Sequence, residues 1–188
     1  QMCIRDSFNV LHEYVDYFVL NVSCPNVSNF TKLQDVAFLE TLIPKLKEIN
    51  SKKTKPKPIL IKISPDLSTE QLDETINLVL DQNLDGIIAT NTTTSRKNLN
   101  TSSFRLNKIG NGGLSGLPLT NQSTEVIRYI AKKTNKKIPI IGVGGIMNEN
   151  DAMEKLEAGA SLLQIYTGFI YNGPSLIKNI NKKILSCT

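Results

Sequence analysis

The sequence predicts an α/β fold built on a parallel sheet. Three observations predict it. Apolar runs of strand length alternate five times with stretches whose apolar residues recur at helical spacing. The strand runs are apolar almost throughout, as strands covered on both faces are. The polar residues collect within or just beyond the C-terminal halves of those runs. A (β/α)8 barrel builds its active site at that end. A doubly wound open sheet also binds ligands there, but its Gly-rich signature follows the first strand. Here the Gly144-Gly145 pair follows the fourth.

Each element has its own signal. Residues 1–7 show neither helical nor strand periodicity and join residue 8 abruptly, so they read as a non-native leader. Residues 8–16 read as the end of a helix or a loop, with His12 on the surface or in packing. Tyr17-Phe-Val-Leu20 reads as a buried strand that turns polar at Asn21, Ser23, Cys24 and Asn26, with Pro25 ending it. A helix near 35–49 carries Leu39, Leu42, Ile43 and Leu46 on one stripe, and Pro44 should kink or shorten it. Residues 59–63 form the second strand, apolar except for Lys62. Ser68 and Gln71 make a capping box for a helix lined by Leu72, Ile76, Val79 and Leu80.

The third strand, 86–90, runs into Asn91-Thr-Thr-Thr94. A connection of roughly 25 residues comes next, long enough to suggest a working role. It carries Gly110-Asn-Gly-Gly-Leu-Ser-Gly116. A helix from 121 to 134 turns Val126, Ile127 and Ile130 inward. The fourth strand, 138–143, ends at Gly144-Gly145. A short helix with Ala152, Met153 and Leu156 inward closes at Gly159. The fifth strand, 161–165, ends at Tyr166-Thr-Gly168. The last helix starts at Pro174 and carries Leu176, Ile177, Ile180 and Ile184.

Composition narrows the function classes. Hydrophobic residues are 40% and charged residues 21% of the 188, which excludes a disordered chain. No apolar run approaches the roughly 18 residues of a membrane span, and no secretory signal is visible at the start. Cys3, Cys24 and Cys187 have neither metal-ligand nor disulfide-framework spacing, which suits a reducing compartment and gives no metal site. The net charge is +5, and much of it sits in residues 52–58 and 132–137. Both clusters precede strands, where solvated turns occur. They lack the interleaved aromatics of a nucleic-acid surface.

The strand ends carry the chemistry. Glycines such as Gly144 and Gly145 let backbone N–H groups approach an anion. In barrels the loops after strands seven and eight commonly hold a phosphate. If the last two strands are those, about three strands are missing before residue 8. Lys62 either snorkels, pairs with Asp66 or meets an anionic ligand group. Asn21, Asn26, Asn91 and Thr92 offer neutral donors and acceptors of the kind that grip the edge of a small heterocycle, although each is also ordinary turn chemistry. Cys24 is a candidate general base, given a setting that lowers its thiol pKa.

Several motifs together resemble dihydroorotate dehydrogenase. They are Asn21-Val-Ser-Cys-Pro-Asn26, Leu60-Ile-Lys-Ile-Ser-Pro-Asp-Leu67, Thr90-Asn-Thr92, Gly112-Gly-Leu-Ser-Gly116, Ile140-Ile-Gly-Val-Gly-Gly-Ile146 and Ala158-Gly-Ala-Ser-Leu-Leu-Gln-Ile-Tyr-Thr-Gly168. They run in order over residues 8–186. The resemblance implies a partial TIM (β/α)8 barrel of about five C-terminal strand–helix units, the N-terminal strands missing. Residues 8–188 would then be the C-terminal part of a single FMN-binding domain. It implies FMN-dependent oxidation of dihydroorotate to orotate in pyrimidine synthesis. In this resemblance Cys24 takes the substrate proton, and Asn21, Asn26, Asn91 and Thr92 hold the pyrimidine. Lys62 stabilises negative charge on the reduced flavin. Asn21, Thr90 and Gly116 contact the cofactor, and Gly145, Tyr166 and Thr167 cradle its phosphate.

Cys24 departs from the pattern of the quinone-linked, membrane-associated class, which usually has serine there. Lys62-Ile-Ser-Pro-Asp66 and Tyr166-Thr-Gly-Phe169 resemble that class. Quinone is therefore the expected acceptor, and the parent protein is expected peripherally on the cytoplasmic side of the membrane. An unclosed barrel exposes strand edges, so the isolated chain is expected to be poorly soluble and inactive. The rival readings are another FMN barrel oxidoreductase and a non-catalytic basic nucleic-acid-binding domain.

Overall fold

The computed structural model describes residues 2–22, 36–97 and 99–187. Five strands form one parallel sheet: β1 (Phe18–Asn21), β2 (Ile59–Ile63), β3 (Gly86–Ala89), β4 (Ile140–Val143) and β5 (Leu162–Gln164). Their spatial order is their chain order. A doubly wound sheet reverses its strand order at a switch point; the described strands show no reversal. Right-handed crossovers between successive neighbours put every connection on the same face, as in a barrel wall.

The helices are α1 (Met2–Leu11), α2 (Val36–Ser51), α3 (Thr69–Asp81), α4 (Ser103–Ile109), α5 (Thr120–Lys133), α6 (Glu149–Glu157), α7 (Thr167–Asn172) and α8 (Pro174–Cys187). The strand pleat explains how the chain fills both faces. Ile59, Ile61, Ile63, Ile87, Ala89 and Ile140 point into the main core with Leu42, Ile43, Leu46, Ile76, Ile127 and Ile130 of the covering helices. Leu60, Ile88 and Val143 alternate to the other face, where they form a small separate cluster. Lys62 lies on that inner face, two positions on from Leu60. The register pairs it with Asn21 on one side and Ile88 on the other.

Several sequence expectations need correction. Residues 2–11 form one helix, with Phe8 buried and Ile4 packed on the core, so residues 2–7 do have helical structure. Tyr17-Phe-Val-Leu20 is not covered on both faces. Its burial alternates, and Val19 and Tyr17 are 36% and 46% exposed. The reason is tertiary: β1 lies at the edge of the described sheet, and its inner face has no neighbouring strand there. The other edge behaves alike, with Leu162 of β5 63% exposed.

Helix α2 runs unbroken through Pro44 and is not shortened. On α3, Leu72, Ile76 and Val79 of the expected stripe are buried, but Leu80 is exposed and Leu78 is buried in its stead, whereas the Ser68–Gln71 capping box forms in both directions. Ile177 of α8 is also largely exposed, while Leu176 and Ile180 are buried. His12 is a packing residue. It is buried, hydrogen-bonded through Nε2 to Asn50 Oδ1 at 3.0 Å, and set against the rings of Phe8 and Phe18. The first lysine cluster falls on the α2–β2 turn; in the second, Lys132 and Lys133 end α5 and Lys136 and Lys137 lie on the turn to β4.

Among the described residues, no helix is long and apolar enough to cross a membrane.

Candidate active site

The C-terminal ends of β2 to β5 open onto a cavity of about 290 Å³. Lys62 enters from β2. Thr90, Asn91 and Thr92 leave β3, Gly144 and Gly145 leave β4, and Tyr166 and Thr167 leave β5. Gly116 reaches it from the long connection. The structure thus brings together Lys62, Thr90, Asn91, Thr92, Gly116, Gly145, Tyr166 and Thr167. Asn21 ends β1 beside Lys62 but does not line the cavity. Cys24 and Asn26 lie outside the described residues.

The long connection is ordered for a reason that periodicity does not show. It contains α4 and then folds back on its own start. Thr93 and Leu114 exchange two backbone hydrogen bonds, of 3.0 and 2.7 Å. The Arg96 guanidinium donates to the Gly112 carbonyl. These contacts return Ser115 and Gly116 to the cavity, where Thr167 Oγ1 lies 2.9 Å from Ser115 Oγ. Ser115, Gln164 and Ile165 line the cavity too, and the sequence pattern did not mark them.

Asp66 anchors the start of the same connection. Its carboxylate accepts from Thr93 Oγ1 at 2.5 Å, from the Thr94 N–H at 2.7 Å and from Thr94 Oγ1 at 2.8 Å. Gln122 Nε2 adds a fourth bond at 3.3 Å. Partial burial pushes the Asp66 pKa up, but the hydrogen bonds together outweigh it and hold the pKa below the usual carboxylate value. A carboxyl group with a lowered folded pKa stabilises the fold fully above its unfolded pKa, and loses that contribution as pH falls through the folded value. The stability difference between the protein and Asp66→Asn should therefore be largest near neutrality and shrink below about pH 4. Urea unfolding across that range measures it; a difference that does not vary with pH contradicts the assignment.

The cavity wall suits an anion. None of the described residues lining it is acidic, and Lys62 brings a positive charge. Burial pushes the Lys62 pKa below the ordinary lysine value, and a negative group in the cavity would push it back up and favour the charged form.

The Gly144-Gly145 turn is held from behind by α5. Ser123 Oγ donates to the Gly144 carbonyl at 2.8 Å, and Thr120 Oγ1 donates to the Gly145 carbonyl at 2.7 Å. Both peptides are trans, so the N–H of each points opposite to its carbonyl. The N–H groups of Gly145 and Ile146 therefore point away from α5. Gly144, Gly145 and Ile146 line the cavity, whereas Thr120 and Ser123 do not.

Gly145 has φ +71°, and a Cβ there would overlap the Thr120 backbone and hydroxyl. Gly145→Ala should cost about 2 kcal/mol or more of stability from backbone strain and overlap together. Thermal unfolding reads it; an unchanged Tm would contradict the packing described.

Beneath α5's hydroxyls lies a side chain that the sequence pattern did not mark. Lys155 of α6 is fully buried. Its Nζ donates to Ser123 Oγ at 2.7 Å, Thr124 Oγ1 at 2.8 Å and the Thr120 carbonyl at 3.1 Å. Burial pushes its pKa down to about 8, against the opposing pull of Asp151 and Glu154. A signal for it existed: Thr120, Ser123 and Thr124 lie at helical spacing on one face of α5, where a polar stripe faces inward.

Comparison with known proteins adds a family. The family model for dihydroorotate dehydrogenase matches residues 4–187. A "dihydroorotate dehydrogenase (quinone)" of Christiangramia forsetii is 57% identical over 179 residues, covering 95% of this chain and 52% of that relative. One of Crocosphaera subtropica is 49% identical over 185 residues, covering 95% and 48%. The ligand-free DHODH crystal structure from Eimeria tenella superposes with a TM-score of 0.89 at 32% identity, covering 98% of this chain and 55% of that one. The chain spans about half the length of the curated relatives it matches.

Proposed function

The chain belongs to the dihydroorotate dehydrogenase family, and from that premise we propose that it is the C-terminal part of an FMN-dependent enzyme that oxidises dihydroorotate to orotate. Residues 8–188 would supply the last five strand–helix units of one barrel domain. The observation that carries the reading is the cavity shared by Lys62, Asn91, Thr92, Gly116, Gly145 and Thr167, with no carboxylate among the described residues of its wall. That donor set fits a planar, anionic cofactor with a phosphate.

Bound FMN would supply the hydride acceptor. In this reading the N–H groups of the Gly145 turn, with Tyr166 and Thr167, take its phosphate. Thr90 and Gly116 fix the cofactor from the β3 and long-connection sides, with Asn21 beyond them. Lys62 supplies positive charge where charge accumulates during transfer. Asn21, Asn26, Asn91 and Thr92 orient the pyrimidine by its polar edge. Cys24, as thiolate, takes the proton from the ring carbon next to the one that loses hydride, and the electron pair left behind closes the new carbon–carbon double bond. The names of the relatives support quinone as the acceptor, and with it a peripheral membrane location of the whole protein. The isolated 188-residue piece would not turn over substrate.

The test is to express the full-length protein and follow orotate formation with a quinone, with fumarate and with NAD. Turnover with quinone is expected. A protein without bound flavin, or without dihydroorotate oxidation by any acceptor, overturns the proposal.

A further inference from the structure

We infer that Lys155 is a positioning residue for the cofactor's phosphate: from beneath the Gly144-Gly145 turn it sets the Ser123 hydroxyl, which holds the Gly144 carbonyl and so aims the Gly145 N–H at the cavity, and it puts a positive charge behind that N–H. This rests on the reading of that turn as the phosphate subsite.

Lysine has only donors. Ser123 Oγ and Thr124 Oγ1, at 2.7 and 2.8 Å from Nζ, must therefore accept from it. Each hydroxyl then has its one proton free to give elsewhere. Thr124 gives its proton to the Thr120 carbonyl at 2.9 Å, which Nζ also meets at 3.1 Å. Ser123 lies 3.1 Å from that same carbonyl but 2.8 Å from the Gly144 carbonyl. With the Thr120 carbonyl already served twice, the Ser123 proton goes to Gly144. A donated hydrogen bond from an ammonium polarises the next one in the chain. The relay runs Lys155, Ser123, Gly144 carbonyl, and across the planar peptide to the Gly145 N–H.

A buried ammonium held only by neutral acceptors is costly. Among the described residues no carboxylate forms an ion pair with Lys155. Ordinary packing needs no charge at a site as enclosed as this, where the side chain is 0% exposed. Asp151 and Glu154 of the same helix act on the charge without forming an ion pair with it, and an anion on the far side of the turn adds a counterpart at the end to which the relay leads. Lys155 does not line the cavity, so it acts through the turn and through its field.

The test compares FMN with riboflavin, which has the same ring system and no phosphate. The full-length holoenzyme and its variants are stripped of flavin, and each ligand is titrated by fluorescence. Lys155→Met should weaken FMN binding by about tenfold or more, the size of a lost charge-assisted hydrogen bond, while riboflavin binding changes by less than about threefold. Ser123→Ala keeps the ammonium but cuts the relay, and should give a smaller loss of the same kind. If Lys155→Met does not fold, Lys155→Gln and Ser123→Ala carry the comparison. Equal losses for both ligands, or no loss, would mean that Lys155 serves packing alone and would overturn its role. If the unmutated protein itself holds riboflavin as tightly as FMN, the phosphate subsite falls and the role of Lys155 falls with it.

Discussion

Under the proposed function, Lys62→Met in the full-length protein is expected to keep its flavin and to lose at least about 100-fold in turnover. Methionine matches the length of the lysine stem and suits the apolar inner face, where Leu60 lies two positions away and Ile88 is the cross-strand neighbour. The fold should tolerate it. What disappears is the positive charge in a wall with no acidic residue among those described. A unit charge about 4 Å away in a partly buried site interacts by about 4 kcal/mol before desolvation is subtracted. A 100-fold rate loss is about 2.7 kcal/mol of that. The loss should fall on kcat, because the charge matters most once hydride has moved, with KM for dihydroorotate little changed. Rapid-mixing measurement of flavin bleaching isolates that step. A variant that retains flavin and bleaches within about threefold of the parent would remove Lys62 from the chemistry.

The legible part of this chain was the part written in local pattern. Ile59-Leu-Ile-Lys-Ile63 reads as a strand from its run of apolar residues, and the single interruption marks the residue that enters the cavity. Ser68 and Gln71 announce a helix start because the cap is made of neighbouring residues. The Gly-Gly pair after β4 was readable because the turn needs positive φ at both positions. Exposure at β1 was not readable. Val19 and Leu20 look alike in sequence, and only the place of β1 at the edge of the described sheet separates them. The fold-back of the long connection was hidden too, since the Thr93–Leu114 pairing joins residues far apart in the chain.

Lys155 illustrates the same limit at the site. In the run Glu154-Lys-Leu-Glu157 it resembles a solvated helical lysine. Its burial results from the packing of α6 against α5, whose own polar stripe turns inward to meet it. The polar cavity-lining residues that leave β3, β4 and β5 were found from their place at strand ends, except Gln164, the last residue of β5. Residues that act from behind a turn were not, because nothing in a strand–loop pattern marks the far side of a peptide plane.

Under the same proposal, Cys24→Ala is expected to lower dihydroorotate turnover by roughly 10²–10⁴-fold with flavin binding intact, the range a general base contributes. Cys24 stands three residues past the end of β1, whose last residue, Asn21, is the cross-strand neighbour of Lys62. A free thiol titrates near 8.5, so a base drawn from Cys24 should give a rate that rises with the thiolate fraction and levels off once the thiol is fully ionised. Serine in its place keeps the geometry but is a far weaker acid. Cys24→Ser should therefore retain part of the activity and shift its rise to higher pH. The pair of variants separates position from acidity: alanine tests whether a proton acceptor is needed there, and serine tests whether its pKa sets the profile. An alanine variant with the parent's rate and pH dependence would place the base on another residue. A serine variant with the parent's profile would show that the titration belongs to a different group, even with Cys24 in contact with substrate.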